Sequence, residues 1–204
     1  DIIKRLQAKK TKTLAFTKMR PGVFGRIPSM LEWRFNQLRE HGIDFQAGHT
    51  EPVILNQLPQ IDNQSPCMDK GIICCNRVIK GMVLGALLDT LKLTPAQIIM
   101  FDDTLENLVS VEEELKKRDI TFHGYQYRAI EHCPGQFVEK IALIQFDFLR
   151  KQGIWLSVQV ALQIETTAHI HSLTPPSISD MKWPEKITQE YKMAVPHGSM
   201  NLEQ

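Results

Sequence analysis

The chain has 204 residues, enough for one sizeable domain with an extension. Its apolar fraction of 43% and charged fraction of 23% are those of an ordinary globular protein. A formal net charge of +1 argues against a broad electrostatic pull toward nucleic acid or anionic membrane, and the apolar runs fall short of the about 20 residues that span a bilayer.

Residues 1–10 read as the end of a helix, with Ile2, Ile3 and Leu6 on one face and Lys9 and Lys10 in the last turn. The chain opens at Asp1 inside that pattern, which reads as a fragment or a processed product. Residues 13–17 form a short buried strand, and Pro21 and Gly22 mark a loop. Ser29 is placed to cap a helix over about 30–41, with Leu31, Phe35 and Leu38 inward and Gly42 as its stop. Residues 46–70 are polar, contain Pro52, Pro59 and Pro66, and read as an irregular excursion over the surface.

A second strand follows at 71–75. Cys74 and Cys75 are adjacent there and should point to opposite faces. Next come a helix over about 80–91, a strand at 98–102, a helix over about 104–118, a strand at 121–125 and a helix over about 136–151. Strands alternating with helices predict an α/β fold, a mostly parallel sheet with helices on both faces. This core covers 1–151. Residues 152–204 form a helical extension, with a helix continuing past Gly153, a linker at 174–177 and a short amphipathic helix near 184–193. The four cysteines show no CxxC pair, so buried free thiols are expected, with a Cys67–Cys133 bridge open. Trp33, Trp155 and Trp183 read as core-packing residues. His169 and His171 have no evident third ligand, and His49, His123 and His132 are scattered.

The most informative stretch is 98–107, where an apolar run stops at Asp102 and Asp103 and a helix begins. In open α/β sheets, ligands bind beyond the carboxyl ends of the strands. One Asp suffices to cap a helix, whereas two adjacent carboxylates repel unless a cation holds them. Thr17 ends the first strand and is followed by Lys18 and Arg20, and Lys80 opens the helix after the second. A parallel sheet would bring these positions to one edge. A hydroxyl for a phosphate oxygen, an ammonium to offset charge and acids for Mg²⁺ together describe a phosphoryl-metal site. Asn107 lies one helical turn after Asp103, so its amide can face the same place.

In order and spacing, these segments resemble the haloacid dehalogenase superfamily of phosphohydrolases. Within it they are closest to a bacterial family known by its domain-of-unknown-function number 2608. Leu14-Ala15-Phe16-Thr17 fits the second motif, and the segment from Arg39 to Phe45 resembles that family's pattern after the next helix. Gly71-Ile72-Ile73 with Lys80-Gly81 fits the third motif, and Phe101-Asp102-Asp103 through Asn107 the fourth. The resemblance covers about 1–150 and implies a three-layer Rossmann-like core and Mg²⁺-dependent hydrolysis of a small phosphomonoester. It assigns Thr17, Lys80 and Asp102 to catalysis and Asp103, Asp102 and Asn107 to the metal. Asp103 is the direct ligand, with Asp102 a supporting acid or the partner of Lys80.

The first motif, an Asp-x-Asp that carries the nucleophile and the acid/base, is absent: Asp1 is the only acid before Glu32. The resemblance therefore places the nucleophile strand upstream of Asp1, in an N-terminal segment that completes the fold. A relative that keeps the fold as a binding module without catalysis is the alternative. A response-regulator receiver would carry its acids on the first strand with the lysine after them, the reverse of the order here. The compartment, cytoplasmic or exported, is left open by the sequence.

Overall fold

The computed structural model describes residues 2–46, 51–129 and 138–170. These belong to two compact units, Asp1–Gly135 and Gln136–Gln204. The first unit is α/β. It opens with α1 (Ile2–Ala8), β1 (Ala15–Thr17) and α2 (Met30–Glu40). As expected, the Ser29 hydroxyl accepts the Glu32 N–H at 3.1 Å to cap α2. The helix ends before Gly42, whose φ of +70° suits glycine.

The excursion expected at 46–70 is in part a β-meander. Two strands, β2 (Val53–Ile54) and β3 (Cys67–Asp69), run antiparallel to each other, and β3 pairs antiparallel with β4 (Ile72–Cys74). The prolines misled because Pro52 and Pro66 lie just outside the strands, where a missing N–H costs no ladder bond. The β3–β4 turn is a two-residue hairpin in which Lys70 and Gly71 both have positive φ. Strand β4 also pairs in parallel with β1, Thr17 opposite Cys74, giving the order β1-β4-β3-β2. Cys74 packs with Leu31, Phe35 and Ile72, while Cys75 packs with Ile73, Val83 and Leu87, so this sheet is covered on both faces.

Beyond it come α3 (Lys80–Leu91), β5 (Gln97–Asp102), α4 (Leu105–Lys116) and β6 (Thr121–Gln126). Strands β5 and β6 pair in parallel with α4 as the crossover, Asp102 opposite Gln126. Leu84 and Leu88 of α3, Met100 of β5, and Leu108, Val111 and Leu115 of α4 form one buried cluster. The opposite face of the β5–β6 pair is exposed, with Phe101 stacked on Tyr125 at 5.1 Å between ring centroids. The described strands thus make two sheets rather than the single mostly parallel sheet expected. Among the described residues, β1 pairs only with β4, and β5 only with β6.

The second unit contains α5 (Glu139–Gln152) and α6 (Val158–Ile170). The helix does not continue past Gly153: that residue ends α5 at φ +75°, and α6 starts after a five-residue break. The Gln145 amide, buried, donates to Leu156 O at 2.8 Å across the break. Trp155, expected in the core, is half exposed. Residues 174–177, 184–193 and Trp183 lie outside the described residues.

Candidate functional site

Lys80 is the first residue of α3 and is 5% exposed. A cation at a helix N-terminus opposes the helix dipole, and a buried one needs a partner. Its Nζ donates to Asp102 Oδ2 at 2.6 Å and to Phe16 O at 2.9 Å, and lies 5.0 Å from the Phe16 ring centroid. One side chain therefore ties the end of β1 to the end of β5.

Asp102 is equally enclosed. Its Oδ1 accepts the Thr104 N–H and the Asn107 amide, each at 2.9 Å. Burial works against its ionisation, but the hydrogen bonds from Lys80, Asn107 and Thr104 and the charge of Lys80 outweigh it, holding the carboxyl below its usual range. Both oxygens are engaged by N–H donors. As placed, Asp102 holds Lys80, and Asn107 in turn holds Asp102.

Asp103 differs. It is exposed, and its Oδ1 accepts only a bond from the neighbouring Thr104 hydroxyl at 3.2 Å among those seen. Mg²⁺ binds through one or two carboxylates, substrate phosphate and water rather than an all-protein cage. Asp103 fits as one such carboxylate. Among the described residues no three His, Cys, Asp or Glu side chains cluster as a ready-made cage. Thr17, half-buried at the end of β1, accepts the Met19 N–H on its hydroxyl at 3.2 Å, so its own proton remains for a ligand. Thr17 adjoins Phe16, and Asp103 adjoins Asp102. Lys80 thus meets Asp102 at the carboxyl end of β5 and the Phe16 carbonyl, next to Thr17, at the carboxyl end of β1.

Next to Lys80, two glycines of α3 face α4. Gly81 and Gly85 form a G-x-x-x-G seam that lets α3 approach α4. A Cβ on Gly81 would lie 2.0 Å from the Ser110 carbonyl oxygen. The Gly81 N–H donates to the Ser110 hydroxyl at 3.2 Å, which donates to Asn107 O at 2.8 Å. Gly81→Ala is expected to cost about 1–3 kcal/mol, because backbone must move. The atoms nearest a Cβ on Gly85 are side-chain ends that can shift, Glu114 Oε1 at 2.4 Å and Arg118 Nη2 at 3.0 Å. With both variants measured by urea unfolding, Gly85→Ala should be close to neutral, since Ala also favours the helix.

Cys67, Cys74 and Cys75 are free. Burial pushes the Cys67 thiol up to about 11 and the Cys75 thiol up to about 12. Cys133, the bridge partner considered for Cys67, lies outside the described residues, as do His49, His132 and His171.

Residues 1–161 match the family described as "Protein of unknown function (DUF2608)". The chain belongs to this family. A Chlamydia trachomatis protein named "Putative outer membrane protein" is 28% identical over 85 residues, which is 42% of this chain and 33% of that one. An uncharacterized protein of Rickettsia prowazekii is 23% identical over 138 residues, 68% of this chain and 50% of its own length. One from Rickettsia felis is 29% identical over 111 residues, 52% and 38%. The chain thus spans a third to a half of the lengths of these relatives. No solved structure matches it. No helix among the described residues is long and apolar enough to cross a membrane.

Proposed function

We propose that the intact protein is a Mg²⁺-dependent phosphohydrolase of haloacid dehalogenase type, acting on a small phosphomonoester. The observation that carries this reading is the double engagement of Lys80. It joins the carboxyl ends of two strands that are not hydrogen-bonded to each other and whose other edges are taken by β4 and β6. Neighbouring strands lie about 4.8 Å apart. A single further parallel strand between β1 and β5 would take the edges that these strands leave unpaired. That strand, from an upstream segment, completes a Rossmann-like sheet and delivers an Asp between Thr17 and Asp103.

In this reading the first Asp of the upstream Asp-x-Asp attacks phosphorus as the ester P–O bond breaks, the second Asp protonates the leaving oxygen, and water, giving a proton back to that second Asp, then cleaves the aspartyl-phosphate to release inorganic phosphate. Thr17 donates to a phosphate oxygen, and Lys80 holds positive charge beside it while anchored by Asp102. Asp103 would hold Mg²⁺ in part, and the ion would supply positive charge against the phosphate. The full-length protein should hydrolyse p-nitrophenyl phosphate with Mg²⁺ and stop when EDTA is added. A folded full-length protein with no metal-dependent turnover would favour the other reading, a non-catalytic binding module on the same fold.

A further inference from the structure

Two arginines stand at the same edge without a place in the chemistry above. Arg20 lies three residues after Thr17, and Arg77 three before Lys80. Their loops are laced together by backbone bonds: Cys75 N–H to Thr17 O at 2.8 Å, Arg77 N–H to Lys18 O at 3.0 Å and Asn76 N–H to Met19 O at 3.1 Å. A single oxygen, Asp62 Oδ2, accepts from Arg20 Nη2 at 2.5 Å and from Arg77 Nη2 at 2.8 Å. Asp62 sits at the tip of the tight turn 61–64, where it and Asn63 both have positive φ.

That turn does not need the ion pairs to stay in place. Ile61 and Gln64 exchange two backbone bonds at 3.1 Å. The fully buried Asn76 amide donates to both their carbonyls at 2.7 Å, and Gln64 Oε1 accepts the Gly22 N–H at 2.9 Å. Exposed ion pairs add little to stability, and these side chains are partly open, Asp62 and Arg77 by more than half. Each guanidinium has five donors in a planar fork that matches a carboxylate or phosphate. One carboxylate oxygen fills few of them. Arg77 also sits at φ +66°, where Asn or Gly would be more relaxed.

We propose that Arg20 and Arg77 form a specificity subsite for a second oxyanion on the substrate, with Asp62 as the internal carboxylate that the substrate displaces. The substrate class is a phosphomonoester that also carries a carboxylate or another phosphate. The inference rests on the Lys80 edge being the phosphate site, and it does not require turnover.

Non-hydrolysable probes separate the two. Binding of phenylphosphonate, 4-carboxyphenylphosphonate and 1,4-phenylenebisphosphonate to the full-length protein is measured by calorimetry. One or both double-anion probes should bind at least about tenfold tighter than phenylphosphonate, the worth of one charge-assisted contact; which one does names the second group. Arg20→Gln and Arg77→Gln should each remove most of that preference and leave phenylphosphonate affinity unchanged. Asp62→Asn should raise affinity for the preferred probe. Equal binding of all three probes, or a uniform loss in the arginine variants, overturns the subsite. Arg-dependent discrimination without hydrolysis of p-nitrophenyl phosphate would retain the subsite and reject the phosphohydrolase. Turnover without discrimination would do the reverse.

Discussion

Replacing Lys80 with Met should lower the unfolding free energy of the full-length protein by about 3–5 kcal/mol, read from urea denaturation. The side chain is nearly as long, so the loss reports charge rather than volume. It would leave the Asp102 carboxylate, 7% exposed, without the cation it contacts at 2.6 Å. Adding Asp102→Asn to Lys80→Met should recover most of the loss, because replacing both members of a buried pair is often near neutral. Two fully additive losses would show that the pair is not coupled. The pair also has a pH signature. Folded Asp102 titrates below its usual value of about 3.9. Its stabilisation is complete above that value and is lost as pH falls through the lower folded one. Asp102→Asn should flatten that acid limb of the stability curve.

Asp103→Asn should behave in the opposite way. The residue is exposed, and its recorded side-chain bond is to Thr104 next door. Stability should therefore change by no more than about 0.5 kcal/mol. Mg²⁺-dependent turnover should fall by about 10²-fold or more, the usual cost of removing a group that stabilises developing charge. Initial rates at increasing Mg²⁺ check this, and a weakened metal response should accompany the lower rate. Unchanged rates would remove Asp103 from the metal. A large loss of stability would mean its carboxylate is structural, as that of Asp102 is.

The contrast between the adjacent acids shows where sequence reading succeeds and where it stops. Alternating patterns and punctuation located the long elements well: α2 with its Ser29 cap, α3 from Lys80, β5 ending at Asp102, and α4. Those signals are local. The meeting of Lys80 with Asp102 and with the end of β1 was legible because α/β folds gather strand ends and helix starts at one edge. What the residues do on arrival was only partly legible. Asp102 could be foreseen as a partner of Lys80, but the two N–H donors on its other oxygen depend on the path of residues 104–107.

Prolines at 52, 59 and 66 hid a meander because composition does not tell whether a proline sits inside a strand or one residue before it. The Lys70-Gly71 hairpin lacks the Asn-Gly or Asp-Gly pair that usually signals such a turn. The G-x-x-x-G seam of Gly81 and Gly85 was visible as spacing, but only the facing Ser110 backbone gives it meaning. The Arg20–Asp62–Arg77 cluster joins Asp62 to partners 42 and 15 residues away through a turn that no pattern announced.

The most direct test of the account is a crystal structure of the full-length protein with Mg²⁺ and tungstate, a phosphate mimic. The account requires an upstream strand seated in parallel between β1 and β5, an Asp at its carboxyl end against the anion, Lys80 Nζ beside it and Asp103 on the metal. Direct hydrogen bonding of β1 to β5, or an anion and a metal bound away from Lys80 and Asp103, would contradict it.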